Sequence, residues 1–122
     1  MGGNVLLIED EPHIAEAIRY LLSRDGWEVA SHADGRDAME VIRRTLPDVL
    51  VLDVMLPGRS GYDILADLRR DPDLAALPVL VLTARGLRDI PEGATRTMAK
   101  PFANADVVSA VRAIADRSGA AE

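Results

Sequence analysis

The sequence predicts an α/β domain in which helices cover both faces of a parallel β-sheet. Three short apolar runs, at 5–8, 49–52 and 79–82, are separated by longer stretches whose apolar residues recur at helical spacing. Strands that crossover helices bury on both faces have this pattern. The chain has 122 residues with 48% hydrophobic content, which suffices for one core but not for two. We therefore expect one domain over residues 1–117 and a frayed tail at 118–122.

The first apolar run is followed by a helix and then by a second, weaker strand. Pro12 suits the first turn of a helix, and Gly26 is expected to end it. The strand after this helix is expected at 27–30. The apolar face of the helix consists of Ile14, Ala17, Ile18, Leu21 and Leu22.

The second and third helices are expected to begin with similar pairs of residues. Asp34 with Asp37, and Ser60 with Asp63, each loosely resemble a capping box, in which side chains accept bonds from free backbone N–H groups. The residues expected to face inward are Ala38, Val41 and Ile42 in the second helix, and Ile64, Leu65 and Leu68 in the third.

The segment after the run at 79–82 has a poor helix signal. Gly86, Pro91 and Gly93 crowd ten residues, so any fourth helix there is short or missing. A fifth strand is expected at 95–99. The final helix is clear, because its apolar residues form one stripe: Val107, Val108, Val111, Ile114 and Ala115.

Composition disfavours several classes of protein. The net charge of −6 and pI near 4.9 disfavour direct binding to nucleic acid or to a membrane surface. The pairs Arg43-Arg44 and Arg69-Arg70 fall at predicted helix ends, where solvated cations complement the helix dipole. The chain contains no cysteine and no apolar run long enough for a signal peptide or a membrane span. We expect a cytoplasmic protein.

Polar side chains stand where the predicted strands end. Glu9 and Asp10 follow the first strand, Asp53 the third, Thr83 the fourth and Lys100 the fifth. Right-handed crossovers place the carboxyl ends of parallel strands at one edge, with neighbouring strands about 4.8 Å apart. Three crowded carboxylates need a raised pKa or a cation, and oxygen ligands from few residues suit Mg²⁺. The sequence therefore predicts a magnesium site.

Asp53 is the best candidate for a nucleophile at this edge. A carboxylate beside a metal ion, a lysine and a hydroxyl has the parts needed for in-line phosphoryl transfer. Each residue alone has an ordinary explanation as a helix cap or turn former. Their joint placement at successive strand ends is hard to explain in that way, which favours a phosphoacceptor function.

The motifs around these residues are similar to those of the receiver domain of two-component response regulators. They read Val5-Leu-Leu-Ile-Glu-Asp-Glu-Pro12, then Leu46-Pro-Asp-Val-Leu-Val-Leu-Asp-Val-Met-Leu-Pro-Gly58 with Gly61, then Val81-Leu-Thr-Ala84, and finally Lys100-Pro-Phe102. The match spans nearly the whole chain, and four motifs in order make it specific. The resemblance implies a flavodoxin-like, doubly wound five-stranded parallel sheet with strand order 2-1-3-4-5.

The resemblance also implies roles for individual residues. Glu9, Asp10, Asp53 and the backbone carbonyl of Met55 take the positions of the family's Mg²⁺ ligands. Asp53 takes that of the phosphoacceptor, served by a histidine kinase or histidine phosphotransfer protein.

Two further positions complete the family's phosphorylation pocket. Thr83 takes the position of the switch hydroxyl and Lys100 that of the lysine that contacts the phosphoryl group. The Lys100–Pro101 bond is expected to be cis, as is usual in the family, although only about 5–6% of such bonds are cis in general.

This chain departs from the family pattern in the regions that transmit the signal. Thr83 and Lys100 are 17 positions apart, shorter than usual by about one helical turn. Thr97 occupies the position of the usual aromatic switch residue on strand five. Met55 and Arg85, two positions beyond Asp53 and Thr83, cannot orient an attacking water as a carboxylate or amide would, so we expect slow self-dephosphorylation.

Other functions remain open at this point. A receiver-like interaction module that is never phosphorylated is the main alternative, and the complete set of site residues argues against it. A phosphatase of the haloacid dehalogenase type would want an Asp at position 55, where this chain has Met. The kinase, the downstream protein partner and the oligomeric state do not follow from the sequence.

Overall fold

The apolar runs of the sequence form the centre of a five-stranded parallel sheet. The computed structural model describes residues 3–83, 92–100 and 102–120. The strand order is β2-β1-β3-β4-β5, as the sequence predicts. The strands are β1 (Asn4–Ile8), β2 (Glu28–His32), β3 (Val49–Asp53), β4 (Val79–Thr83) and β5 (Arg96–Ala99), and the helices are α1 (Pro12–Arg24), α2 (Ala38–Thr45), α3 (Gly61–Arg70) and α4 (Asn104–Ala120).

The two faces of the sheet are covered by different pairs of helices. Alternate residues of a strand point to opposite faces of the sheet. Because helices cover both faces, every residue of β3 and β4 is buried. On one face, Leu6 and Leu50 pack with α2 and α3. On the other, Leu7 and Val51 pack with α1 and α4. The helix residues on the first face are Ala38, Val41, Ile42, Ile64, Leu65 and Leu68, and on the second Ile18, Leu22, Val107, Ala110, Val111 and Ile114.

The predicted helix ends are confirmed for α1 and α3 but not for α2. Pro12 opens α1, and Gly26, with φ of 98°, follows the end of this helix. Ser60 Oγ accepts a hydrogen bond from the Asp63 N–H, 3.2 Å away. The predicted capping pair of α2 is wrong. Asp37 makes no side-chain capping bond, and Asp34 accepts from the Arg36 N–H instead.

Two other boundaries differ from the prediction. The edge strand β2 begins at Glu28, after Trp27, and continues to His32, because its backbone follows β1 over five paired positions. Helix α4 continues to Ala120, into the segment that the sequence predicts to be frayed. The domain limits themselves stay a prediction.

Several expectations fall on residues outside the described ranges. They are the short or missing helix expected within 84–93, of which only 92 and 93 are described, and the cis bond at Pro101. Within the described residues, no helix is both long enough and apolar enough to cross a membrane.

Candidate functional site

The four polar strand ends meet at one edge of the sheet. Asp53 is the last residue of β3 and Thr83 the last of β4, while Glu9 and Lys100 directly follow β1 and β5. The strands end at nearly the same height in the sheet, since Ile8 pairs with Leu52, and Thr83 pairs with Ala99. The parallel topology thus brings these residues from four separate parts of the chain into one pocket.

Asp53 lies at the centre of the pocket, with only 1% of its surface exposed. Its Oδ2 lies 3.2 Å from Lys100 Nζ, and its Oδ1 accepts a hydrogen bond of 3.1 Å from the Met55 N–H. Both carboxylate oxygens therefore face donors, one charged and one from the following loop. Two donors thus satisfy the oxygens of this buried carboxylate.

Glu9 is a second buried carboxylate beside Asp53. Its Oε2 accepts a 3.0 Å hydrogen bond from the Glu11 N–H, and its own N–H donates to the His32 carbonyl at 3.0 Å. Its Oε1 lies 3.2 Å from Lys100 Nζ, yet no donor among the described residues is aligned to hydrogen-bond it. Burial raises the pKa of Glu9 to about 7, and the neighbouring Asp53 carboxylate adds to this effect.

Lys100 bridges the two carboxylates. Burial alone would lower the pKa of Lys100, but the attraction of Asp53 and Glu9 outweighs it, so the pKa is raised. The ammonium group therefore stays charged at neutral pH. When both acids are ionised, this single cation leaves a net negative charge in the pocket.

The acidic cluster fits a divalent cation. Carboxylate oxygens of Glu9, Asp10 and Asp53 all lie within 4.8 Å of one another, and Asp10 is exposed, which gives access from solvent. The buried Glu9 Oε1 lacks a hydrogen-bond donor, an arrangement that costs free energy until a cation or a proton binds. Oxygen-only ligands with an open side suit Mg²⁺, which keeps several waters.

Thr83 and Thr97 occupy the β4–β5 side of the site. Thr83 is buried, and its Oγ1 donates to the Met98 carbonyl at 3.3 Å. This hydroxyl is thus hydrogen-bonded to β5. Thr97, paired with Val81, is partly exposed on the same strand.

The loop after β3 closes tightly behind Asp53. A Cβ at Gly61 would overlap the Asp53 carbonyl oxygen and lie 2.6 Å from Val54 Cα. The Gly61 N–H donates to the Val54 carbonyl at 3.0 Å. Met55 is directed outward, with 67% of its surface exposed, and its backbone faces the pocket. A glycine at position 61 is required by this close approach.

The sequence predicts that these charged residues lie together, but it does not reveal the backbone groups that position them. The backbone groups of His32 and Glu11 fix Glu9, and backbone groups leave no signature in a sequence. Glu11 itself caps α1, since its Oε1 accepts from the His13 N–H at 2.8 Å. Of the acidic run 9–11, one member therefore has the ordinary role of a helix cap.

The chain matches the family model described as "Response regulator receiver domain" over residues 5–112. A crystal structure of a response regulator receiver domain protein from Clostridium thermocellum has a similar fold. The TM-score is 0.87 at 26% sequence identity, and the match covers 100% of both chains.

Two curated relatives are similar in sequence. The probable transcriptional regulatory protein TcrX of Mycobacterium tuberculosis is 40% identical over 94% of this chain and 50% of its own length. The phosphate regulon transcriptional regulatory protein PhoB of Rhizobium meliloti is 35% identical over 93% of this chain and 52% of its own length. The chain thus spans about half the length of these relatives.

Proposed function

Because this chain belongs to the response regulator receiver domain family, a family of signalling domains, we propose that it is a phosphoacceptor switch of two-component signalling. In this proposal, Asp53 takes the phosphoryl group. The donor is a histidine kinase or a histidine phosphotransfer protein, and the phosphorylated domain acts on a downstream protein.

One contact supports this proposal above the others. Lys100 Nζ lies 3.2 Å from Asp53 Oδ2 at a sheet edge where two further carboxylates, Glu9 and Asp10, lie close by. A structural ion pair needs one acid and one base. Three acids around one lysine repel one another unless a further cation or a proton binds, and such clusters indicate a functional site.

The chemistry follows from the positions of the side chains. A carboxylate oxygen of Asp53 attacks the phosphorus of the donor; the new O–P bond forms while the bond from phosphorus to the donor's nitrogen or oxygen breaks. The Lys100 ammonium, already beside Asp53, balances the negative charge that the incoming phosphoryl oxygens bring. The Thr83 hydroxyl, now bonded to the Met98 carbonyl, turns to donate to a phosphoryl oxygen.

The metal of this reaction is proposed to be Mg²⁺. Glu9, Asp10, Asp53 and the backbone carbonyl of Met55 would hold it. When bound, it neutralises charge on the phosphoryl oxygens during transfer. Glu9 Oε1, which has an ion pair with Lys100 but no aligned hydrogen-bond donor among the described residues, and the crowding of the three carboxylates support this assignment.

The proposal also covers where the protein works and what it does not bind. We infer that the chain works in the cytoplasm, where histidine kinases present their phosphodonors, and that this domain does not itself contact nucleic acid. A net charge of −6 supports the latter, because nucleic-acid binding relies on clustered positive charge. The main alternative is an interaction module that uses the same fold without phosphorylation.

Phosphorylation by acetyl phosphate, with and without Mg²⁺, tests the proposal. Intact-mass measurement should show a Mg²⁺-dependent gain of one phosphoryl group on the wild type and none on Asp53→Ala. A wild type that gains no mass would favour the interaction module. Asp48→Ala, a variant of an aspartate at the opposite edge of the sheet, is the matched control and should be phosphorylated like the wild type.

A further inference from the structure

A groove between α2 and α3 collects arginine side chains. It is a shallow groove of about 550 Å³ that is open to solvent. Its lining includes none of the residues of the Asp53 pocket. The lining residues are Arg36, Met39, Arg43, Arg59, Asp67, Arg70, Asp71 and Pro72.

The fold brings these arginines together from two loops and two helices. Gly35 N–H donates to the Pro57 carbonyl at 2.9 Å, which packs the β2–α2 loop against the β3–α3 loop. This contact brings Arg36 and Arg59 to one end of the groove. Arg43 and Arg70, in the last turns of α2 and α3, line the rest. They are more than the solvated helix termini that the sequence indicates.

The arginines outnumber the carboxylates that face them. Asp71 pairs with Arg43 at 3.0 Å, whereas Asp67 is shared between Arg59 and Arg70. The fourth arginine, Arg36, pairs with Asp34, which is outside the groove lining. Four guanidinium groups therefore meet three carboxylates, an excess of one positive charge in a chain of net charge −6.

The groove also holds hydrogen-bond donors without acceptors. Each guanidinium has five N–H donors. Among the described residues, the four lining arginines donate to protein acceptors only through Nε or Nη2, so their Nη1 groups are open to solvent or to a ligand. The Nε of Arg59 is buried and has no acceptor there either. A buried N–H without a partner costs free energy, which an anionic ligand with several acceptor oxygens would recover.

We propose that this groove binds a small phosphate-bearing molecule, with the phosphate against Arg59 and the neighbouring arginines. Planar guanidinium forks match phosphate oxygens, and Met39 with Pro72 provides apolar surface for the rest of a ligand. The source is either a free inorganic anion, for which pyrophosphate is the probe, or a phosphorylated metabolite such as a nucleotide. This inference does not rest on phosphorylation of Asp53.

Titration of the full chain with pyrophosphate and, separately, with adenosine 5′-monophosphate tests the proposal. Both titrations are followed by amide chemical shifts in NMR. The shifts should move at the groove, with affinity for pyrophosphate weakened roughly tenfold by Arg43→Gln and by Arg70→Gln. The side chains of these arginines are 58% and 74% exposed, so the variants should fold. Arg59→Lys, which keeps the charge but removes Nε, should also weaken binding.

The matched control is Arg19→Gln, which makes the same change in net charge on α1. Its arginine is 44% exposed, pairs with Glu16 and lies outside the groove. Binding should change less than about twofold in this variant. Equal weakening by Arg19→Gln and Arg43→Gln would mean unspecific attraction and overturn the proposal.

The remaining outcomes separate this site from the Asp53 pocket and identify the ligand source. Binding should persist in Asp53→Ala, and its loss there alone would place the anion in the other pocket and overturn the proposal. Tighter binding of the nucleotide than of pyrophosphate would identify a metabolite, and the reverse would identify the free anion. Binding of neither probe, with binding of a long RNA only, would show that no small ligand uses the groove.

Discussion

Lys100 Nζ lies 3.2 Å from both Asp53 Oδ2 and Glu9 Oε1, so one ammonium group bridges two buried carboxylates. The three residues come from the ends of β5, β3 and β1. The lysine stabilises the pocket before phosphorylation and lies where the phosphoryl oxygens would arrive. Its removal should therefore affect both stability and phosphoryl transfer.

Lys100→Met should destabilise the protein by about 1–3 kcal/mol in the absence of divalent cations, because two buried carboxylates lose their cation. It should also slow phosphorylation by acetyl phosphate at least about tenfold. Urea unfolding and intact mass measure the two effects. The double variant Asp53→Asn with Lys100→Met should recover part of the stability, and no recovery would show that the lysine stabilises the fold by packing alone.

Glu9 predicts how stability depends on pH when no divalent cation is bound. Its pKa is raised from 4.5 to about 7 on folding, so the folded state binds the proton more tightly than the unfolded state. Its contribution to stability is complete below pH 4.5 and is lost as the pH rises through 7. The loss amounts to as much as about 3 kcal/mol.

Glu9→Gln should remove most of this pH dependence. Urea unfolding in the presence of a chelator, at pH values of about 5 and 7.5, gives the free energy of unfolding on both sides of the transition. The exposed Glu16→Gln is the control and should follow the wild type. A wild type that gains stability between these pH values relative to Glu9→Gln would contradict the buried, proton-binding carboxylate.

For Gly61→Ala, helix propensity and packing predict opposite effects on the stability of the protein. Alanine is the better helix former, by at most about 1 kcal/mol at this first position of α3. Its Cβ, however, would overlap the Asp53 carbonyl oxygen, so backbone must move. We expect a net destabilisation of about 1–3 kcal/mol and slower phosphorylation of Asp53. An increase in melting temperature would show that the loop accommodates the added methyl group without loss of stability, and would contradict this prediction.

Arg69 and Arg70 are adjacent in sequence but differ in their contacts and in their exposure to solvent. Arg69 donates to the carbonyls of Gly93, Ala75 and Leu77 at 2.7–2.9 Å and so ties α3 to the loops before β4 and β5. Arg69→Met should cost about 2–4 kcal/mol, because three carbonyls lose a charged donor. Arg70→Met, at a side chain 74% exposed, should cost less than about 1 kcal/mol. Similar unfolding midpoints for both variants would argue against a structural role for Arg69.

Met55 predicts slow loss of the phosphoryl group. Its side chain is 67% exposed beside Asp53 and cannot orient a water molecule. Introducing Asn at Met55 and Glu at Arg85 should speed decay roughly tenfold or more, as followed by intact mass after removal of acetyl phosphate. Leu46→Asn, equally exposed at the end of α2, serves as the control. Unchanged decay in the double variant would refute the prediction.

The sequence predicts the central strands and the charged site residues because both leave strong local signals. β3 and β4 are continuous apolar runs, since both of their faces are buried. The edge strand β2 is mostly exposed or half-buried, so its limits were misplaced. The role of Arg69 could not be predicted, because its three acceptors are backbone carbonyls in loops distant in sequence.

Chemical mapping of the phosphorylated residue tests the central claim most directly. After acetyl phosphate and Mg²⁺, borohydride reduces an aspartyl phosphate to homoserine, and tryptic peptides are sequenced by mass spectrometry. Cleavage after Arg44 and Arg59 leaves a peptide of residues 45–59 that contains Asp48 and Asp53, separate from Glu9 and Asp10. We predict homoserine at the position of Asp53 alone. Its absence from that position, or its presence at another acidic residue, would contradict the account.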